Sequence, residues 1–244
     1  LARLQKALDY VIGYPHGCVE QTTSRCMPLF LLGQSARYAG SEWDAQYFRQ
    51  FIQSGIDRLF SMQTRSGGIG YWPGAQEPYP YGSIYAAHFL TLAKGDPAFK
   101  VPEEAHARLM TSLRERITLD PDERHVSLYN YAYACYVRAL AQDPEVMADI
   151  PRLDTLEIST STRQWLLLAQ LQFTKAPGKG IAYLLTHPSK PYNVREQGDT
   201  LNSTVRNDAI TLMTQMALGA DDTITQPQAE KLIRYLENHP YSTQ

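Results

Sequence analysis

Cysteine, positive charge and long apolar runs are all scarce in this chain. Its 244 residues contain only 3 Cys, too few for a disulfide scaffold. Against 23 Lys and Arg stand 25 Asp and Glu, so no positive excess is present to neutralise nucleic-acid phosphates. No apolar run approaches the roughly 18 residues that span a bilayer. With 43% hydrophobic residues, the composition favours a globular protein with an apolar core and no nucleic-acid partner.

Phenylalanine is also scarce relative to tyrosine, with 7 Phe against 16 Tyr. A buried tyrosine hydroxyl normally needs a hydrogen-bond partner. The excess of tyrosine therefore predicts surfaces that are packed but partly polar.

The two ends of the sequence predict a fragment of a larger multidomain protein. Leu1 opens directly into a helical pattern, without an initiator Met or a signal peptide. At the other end, Ser242 or Thr243 is typical of a helix N-cap whose helix is not included. We therefore expect residues 1–244 to form one truncated domain.

The apolar spacing is helical almost throughout the chain, and long loops are expected at 64–82 and 187–201. Pro28 should kink the second helix or delay its start. Within the first loop, Gly68–Trp72 could form a short hairpin arm. The predicted helices are 1–13, 19–39, 43–63, 83–95, 102–117, 127–142, 160–174, 178–186, 202–218 and 226–238.

The predicted helices alternate between two kinds. Some carry a charged face, as at 43–63, 102–117 and 226–238, and the others are rich in Ala, Thr, Ser and Tyr. Surface helices keep a charged stripe that buried helices lack. Outer and inner helices that alternate at about 40 residues indicate stacked helical hairpins. We therefore predict an all-α fold, an α/α toroid of the six-hairpin type lacking its last helix; an open helical solenoid is the alternative.

One segment contains the residues of a candidate reactive site: Tyr14-Pro-His-Gly-Cys-Val-Glu-Gln-Thr-Thr-Ser24. Gly17 and the residues before it predict a turn. Cys18 then falls near a helix start, where backbone N–H groups and the helix dipole favour a thiolate. Gln21 lies three residues on, on the same helical face. A thiol and an amide held this close can condense into a β-cysteinyl-γ-glutamyl thioester with loss of ammonia.

Gly17-Cys-Val-Glu-Gln21 resembles the Gly-Cys-x-Glu-Gln signature of the thioester-containing family, the alpha-2-macroglobulins and complement components. The longer segment most resembles the bacterial alpha-2-macroglobulins. Gly67-Gly-Ile-Gly-Tyr-Trp72 and Tyr241-Ser-Thr-Gln244 resemble further segments of the same thioester domain. That domain is an α/α toroid, in agreement with the hairpin pattern.

The resemblance implies a single-use covalent protease inhibitor rather than an enzyme. A protease cleaves a bait region elsewhere in the full-length protein, and the exposed thioester then acylates the attacker through Gln21. Implied partners are target proteases, other domains of the same chain and a peptidoglycan synthase. Implied localisation is the periplasm, with an inner-membrane anchor, in a defence role resembling innate immunity at the cell envelope. No cofactor or metal is implied.

The same resemblance implies supporting roles for residues near Cys18 and Gln21. Tyr14 resembles a tyrosine that shields the bond in bacterial members, and Glu20 belongs to the motif although helix-dipole charge alone could explain it. Thr22, Thr23 and Ser24 could satisfy backbone donors at the helix start. A further set, the aromatic residues of the long loop, is expected to cover the site. They are Tyr71, Trp72, Tyr79 and Tyr81.

A histidine that assists transfer in complement proteins has no counterpart here. The region matched to it, residues 78–81, contains no His, and neither His16 nor His125 corresponds. We therefore predict direct transfer to amines, chiefly of lysine.

Other interpretations of the same residues remain open. Cys26 and Cys135 are expected to be core thiols, and His88 and His106 to be packed or solvated rather than ligands. An α/α-toroid glycosidase would need two facing carboxylates, for which Asp208 and Glu20 are candidates. A cysteine acyltransferase would use Cys18 as nucleophile and His16 as base.

Overall fold

The computed structural model describes residues 6, 10, 17–33, 45–119, 125–187, 189–192, 194 and 200–239. Within them the secondary structure is helical, with isolated β-bridges and no strand. None of the helices in these ranges is both long and apolar enough to cross a membrane. Numbered along the described residues, the helices are α1 Val19–Gly33, α2 Ala45–Ser61, α3 Pro80–Lys94, α4 Glu103–Arg116, α5 His125–Leu140, α6 Val146–Asp149, α7 Thr160–Thr174, α8 Pro177–Thr186, α9 Thr204–Ala217 and α10 Asp222–Asn238.

The helices divide into two compact units. In the first unit, α1 packs against α2 and α3, and α3 packs against α4. In the second unit, α5 packs against α7, α7 against α8 and α9, and α9 against α10. Charged helices thus flank apolar ones within each unit. The predicted all-α fold class is confirmed, and this hairpin packing is consistent with an α/α toroid.

The expected inner helices carry most of the core. Residues of α3 and α7 are buried along most of their length, including Ile84, Phe89, Leu166 and Leu167. α10, predicted to be outer, buries no residue. α9 departs from the prediction of an inner helix because it buries only Ile210 and Thr214.

Several helix starts differ from the sequence prediction because their caps were not recognised. α3 begins at Pro80, since proline fits the first helical position, where its missing N–H costs nothing. α10 begins at Asp222 because the Asp221 carboxylate accepts from the Thr223 N–H at 2.9 Å. The short helix α6, followed by a 3-10 turn at Ile150–Leu153, was not predicted.

Pro28 lies inside α1, which begins at Val19 and runs through it. The predicted start of this helix at residue 19 is confirmed, and Pro28 does not delay it. A proline removes one backbone hydrogen bond and adds a steric clash, at a cost of about 3 kcal/mol. Packing offsets this cost, since Leu29 and Phe30 just beyond it are 1% and 2% exposed.

Candidate functional site

Cys18 occupies the N-cap position of α1. Its carbonyl accepts the first helical hydrogen bond, from the Thr22 N–H at 2.9 Å, and the residue is buried with 2% exposure. The expected position of Cys18 at a helix start is thus confirmed.

The Gln21 side chain folds back over the start of the helix to the Cys18 backbone. Its Oε1 accepts a hydrogen bond from the Cys18 N–H at 3.1 Å. This is half of a capping box, in which the third residue of a helix returns to the N-cap. Ordinary helix capping therefore brings the carboxamide of Gln21 to the residue that carries the thiol.

Gly17 makes room for this fold-back. A Cβ at position 17 would lie 2.8 Å from Gln21 Cβ and 3.4 Å from Gln21 Oε1. The first distance is shorter than any ordinary carbon–carbon contact. A side chain here would push Gln21 away from Cys18, so the requirement for glycine is steric.

The hydroxyls that follow the motif act on carbonyl groups rather than on N–H groups. Thr23 Oγ1 donates to the Val19 carbonyl at 2.8 Å, and Thr22 Oγ1 donates to the Gly17 carbonyl at 3.4 Å. Ser24 Oγ instead hydrogen-bonds the Tyr85 hydroxyl at 3.3 Å. The predicted capping role of these residues is wrong, because Gln21 supplies the side-chain cap.

Tyr71, in the loop between α2 and α3, contacts Cys18 from outside the helix. Its carbonyl accepts a hydrogen bond from the Val19 N–H at 3.2 Å. Interaction of its phenol with the Cys18 thiol, followed by partial burial and the charge of Glu20, raises the pKa of Tyr71 to about 12.

Glu20 is half-buried and faces the same loop. The Tyr79 hydroxyl donates to Glu20 Oε1 at 2.9 Å. Burial raises the pKa of the Glu20 carboxyl above its ordinary value, while the bond from Tyr79 lowers it by a smaller amount. Helix-dipole charge is therefore not a sufficient account of this residue.

The loop aromatics lie beside one another. The Tyr71 ring is 5.3 Å from Tyr79 and 5.9 Å from Trp72, and Tyr79 is 6.5 Å from Tyr81. Tyr81 is buried, whereas Tyr71 and Trp72 are 40% and 49% exposed. Of the four predicted covering residues, the structure brings Tyr71 to Cys18 and Tyr79 to Glu20.

Two devices that the sequence did not reveal fix this loop. Ser83 Oγ accepts from the Ile69 N–H at 2.8 Å and donates to its carbonyl at 3.0 Å. Gly82 lets α3 approach α1, since a Cβ there would lie 2.5 Å from Val19 Cγ1 and 2.6 Å from Tyr79 Cδ1. The predicted hairpin arm is reduced to one antiparallel bridge between Gln63 and Ile69.

The remaining candidates take no part in the contacts described above or lie outside the described residues. Cys26 and Cys135 are buried free thiols, as predicted, and burial raises the pKa of each to about 12. Asp208 is ion-paired with Lys231 at 2.6 Å. Tyr14, His16 and residues 241–244 lie outside the described residues, as does the side chain of His125. Within those ranges no group of three or more His, Cys, Asp or Glu could hold a metal ion.

Comparison with curated proteins finds relatives that are all alpha-2-macroglobulins. The alpha-2-macroglobulin of Escherichia coli K12 is 32% identical over 107 residues, which is 43% of this chain and 6% of the relative. That of Thermotoga maritima is 27% identical over 190 residues, or 77% of this chain and 11% of the relative. Homologues of this chain are bacterial alpha-2-macroglobulins. The resemblance drawn from the motif is confirmed, although no family model matches and the chain spans only a small part of these relatives.

Solved alpha-2-macroglobulin structures share the fold of this chain. Salmonella alpha-2-macroglobulin reacted with methylamine superposes with a TM-score of 0.78 at 22% identity, covering 99% of this chain and 16% of that one. Escherichia coli alpha-2-macroglobulin activated by porcine elastase gives 0.73 at 22% identity, covering 95% and 22%. The helical fold described above is therefore that of a segment of alpha-2-macroglobulin.

Proposed function

We propose that Cys18 and Gln21 form an internal thioester, and that this chain is the thioester domain of a covalent protease trap. The observation that carries the proposal is the hydrogen bond from the Cys18 N–H to Gln21 Oε1, at 3.1 Å. It brings the carboxamide that would donate the acyl group to the residue that supplies the thiol nucleophile. The homologues, which are alpha-2-macroglobulins, supply the context of protease inhibition.

Thioester formation needs an activated carbonyl and a thiolate. The Cys18 thiolate attacks Gln21 Cδ, a carbon–sulfur bond forms, the carbon–nitrogen bond breaks, and nitrogen leaves as ammonia after taking up the thiol proton. The Cys18 N–H stabilises negative charge that develops on Oε1 during the attack, as an oxyanion-hole donor does.

Transfer of the Gln21 acyl group to an amine involves the same groups, but the carbon–sulfur bond now breaks. An amine attacks Gln21 Cδ, the carbon–sulfur bond breaks, and the product is an amide at position 21 with a free thiol at Cys18. The Cys18 N–H again stabilises charge on Oε1. The Tyr71 phenol donates to the departing sulfur and stabilises the thiolate. Each molecule reacts once, so the protein is an inhibitor and not an enzyme.

The proposed targets are proteases. One neighbour in fold is an alpha-2-macroglobulin activated by elastase, and another is one reacted with methylamine. For this protein we propose that cleavage of a bait region elsewhere in the full-length chain exposes the site. The lysine amines of the protease would then be acylated by Gln21. The expected setting is the periplasm, with an inner-membrane anchor and a peptidoglycan synthase as a further partner.

Covalent capture tests the proposal. The full-length protein is incubated with elastase, and adducts that survive boiling in detergent are identified by peptide mapping. We expect an amide between Gln21 and a protease lysine. The matched variant is Gln21→Glu, which keeps an oxygen acceptor for the Cys18 N–H but carries a carboxylate that is not electrophilic. Cys26→Ala, a buried thiol on the same helix, serves as the control that retains capture.

Gln21→Glu should abolish the adducts without changing bait cleavage. Adducts that persist in this variant, or that map to residues other than Gln21, would contradict the proposed thioester.

A further inference from the structure

The half-buried carboxylate of Glu20 lies at the start of α1 beside the aromatic loop, yet the thioester chemistry above does not use it. It is adjacent to Gln21 in sequence, and its charge acts on the Tyr71 phenol that contacts the Cys18 thiol. One oxygen, Oε1, accepts the Tyr79 hydroxyl at 2.9 Å. A carboxylate has a second oxygen with further acceptor capacity.

Helix capping does not explain why Glu20 lies at this position. The cap of α1 is supplied by Gln21, which bonds the Cys18 N–H. Partial burial of a carboxylate is unfavourable, and it raises the pKa of Glu20 even with the bond from Tyr79 present. A half-buried carboxylate that is adjacent in sequence to the proposed electrophile and is held by a loop tyrosine is a candidate for a role in its chemistry.

Building on the thioester proposed above, we propose that Glu20 selects cationic amines as nucleophiles and accepts their proton during attack. A lysine ammonium is charged at neutral pH and is attracted by the carboxylate, whereas a hydroxyl or water is not. The ammonium must lose a proton before its nitrogen can attack. Tyr79 positions the carboxylate for this transfer.

The proton balance is complete with groups already present. One ammonium proton goes to Glu20, and the free amine attacks Gln21 Cδ. The second proton leaves the nitrogen as the carbon–sulfur bond breaks and is taken up by the Cys18 thiolate. The products are a secondary amide at position 21, a neutral thiol and a protonated carboxyl that later releases its proton to water.

The test compares methylamine, which is cationic at neutral pH, with hydroxylamine, which is mostly uncharged. Rates of incorporation at Gln21 are measured on the full-length protein, for the wild type, Glu20→Gln and Tyr79→Phe. We expect Glu20→Gln to lower the ratio of the methylamine rate to the hydroxylamine rate by about fivefold to tenfold, the effect of losing one partly screened ion pair. Tyr79→Phe should lower it by a smaller factor.

Salt provides a test that needs no variant, because screening weakens attraction between charges. The ratio should fall as sodium chloride is added to the wild type. An equal loss of both rates in Glu20→Gln, or a ratio that neither variant nor salt changes, would overturn the role of Glu20. A wild type that incorporates neither nucleophile would instead contradict the proposed thioester.

Discussion

Gln21 Oε1 accepts a hydrogen bond from the backbone N–H of Cys18 at 3.1 Å, across the first turn of α1. The relationship is that of a helix cap, and it also defines the proposed thioester. A common device of helix stability thus places an amide beside a thiol. The two functions of Gln21, capping and acylation, can be separated by mutation.

The capping function predicts a stability effect that does not depend on the thioester. In a Cys18→Ala background, Gln21→Ala should lower the free energy of unfolding by about 0.5–1.5 kcal/mol, because one side-chain hydrogen bond is lost. Gln21→Glu should stay within about 0.5 kcal/mol of Gln21, since it keeps the acceptor. Urea denaturation monitored by circular dichroism measures both. Equal losses in the two variants would show that the cap is not formed.

Gly17 is predicted to be irreplaceable for a steric reason. Gly17→Ala places a Cβ 2.8 Å from Gln21 Cβ, and overpacking of this kind costs about 1–3 kcal/mol. The displaced Gln21 should also form less thioester, measured as methylamine incorporation. Gly178→Ala is the matched control, because no atom lies within 4 Å of its added Cβ.

The control should raise stability by about 0.4–1 kcal/mol, since alanine lowers the entropy of the unfolded chain. A Gly17→Ala variant that incorporates methylamine as fully as the wild type would refute the steric role of Gly17.

Tyr71→Phe tests the proposed donation of the Tyr71 phenol to the departing Cys18 sulfur. The variant keeps the ring but loses the hydroxyl that is proposed to donate to the sulfur, and whose pKa responds to the Cys18 thiol. We expect methylamine to release the thiol about threefold to tenfold more slowly, which corresponds to one hydrogen bond. Stopped-flow detection of the thiol gives the rate. Tyr235→Phe, on α10 in the other unit, is the control and should react at the wild-type rate.

Acid should destabilise the first unit through its buried histidines. Burial lowers the pKa of His88 to about 4, and burial followed by the charge of Lys94 lowers that of His106 to about 4. The unfolded chain takes up protons below its ordinary histidine pKa, near 6.5, which the folded chain cannot accept until about pH 4. Stability should therefore be complete above about pH 6.5 and decline from there to about pH 4.

Thermal midpoints measured across this pH range check the prediction. His88→Gln should flatten the decline because glutamine does not titrate. A decline as steep as that of the wild type would rule out His88 as a contributor.

Helices α3, α5 and α7 were predicted well from the sequence. In each of them the apolar residues recur at the helical period, and the same residues pack into the core. The prediction for 160–174 coincides with α7, where Ser159 caps the first turn by accepting from the Thr162 N–H. Helix α6 was missed because its four residues are too few to show a helical period of apolar positions. Burial of α9 was overestimated, since low charge alone does not tell which side of a helix is covered.

The part of the site formed by residues close in sequence could be predicted. The part contributed by the loop between α2 and α3 could not. Cys18 and Gln21 meet across one helical turn, which spacing reveals. Tyr71 and Tyr79 reach the site only because Ser83 and Gly82 fix the loop against α1 and α3. No local sequence pattern encodes such contacts.

The intact mass of the full-length protein tests the central claim most directly. An internal thioester between Cys18 and Gln21 predicts a mass below that of the sequence by one ammonia. Methylamine should then add its full mass at Gln21 and release one thiol, at Cys18. A native, unreacted protein with the full sequence mass, a Cys18 thiol that already titrates and no methylamine at Gln21 would contradict the account.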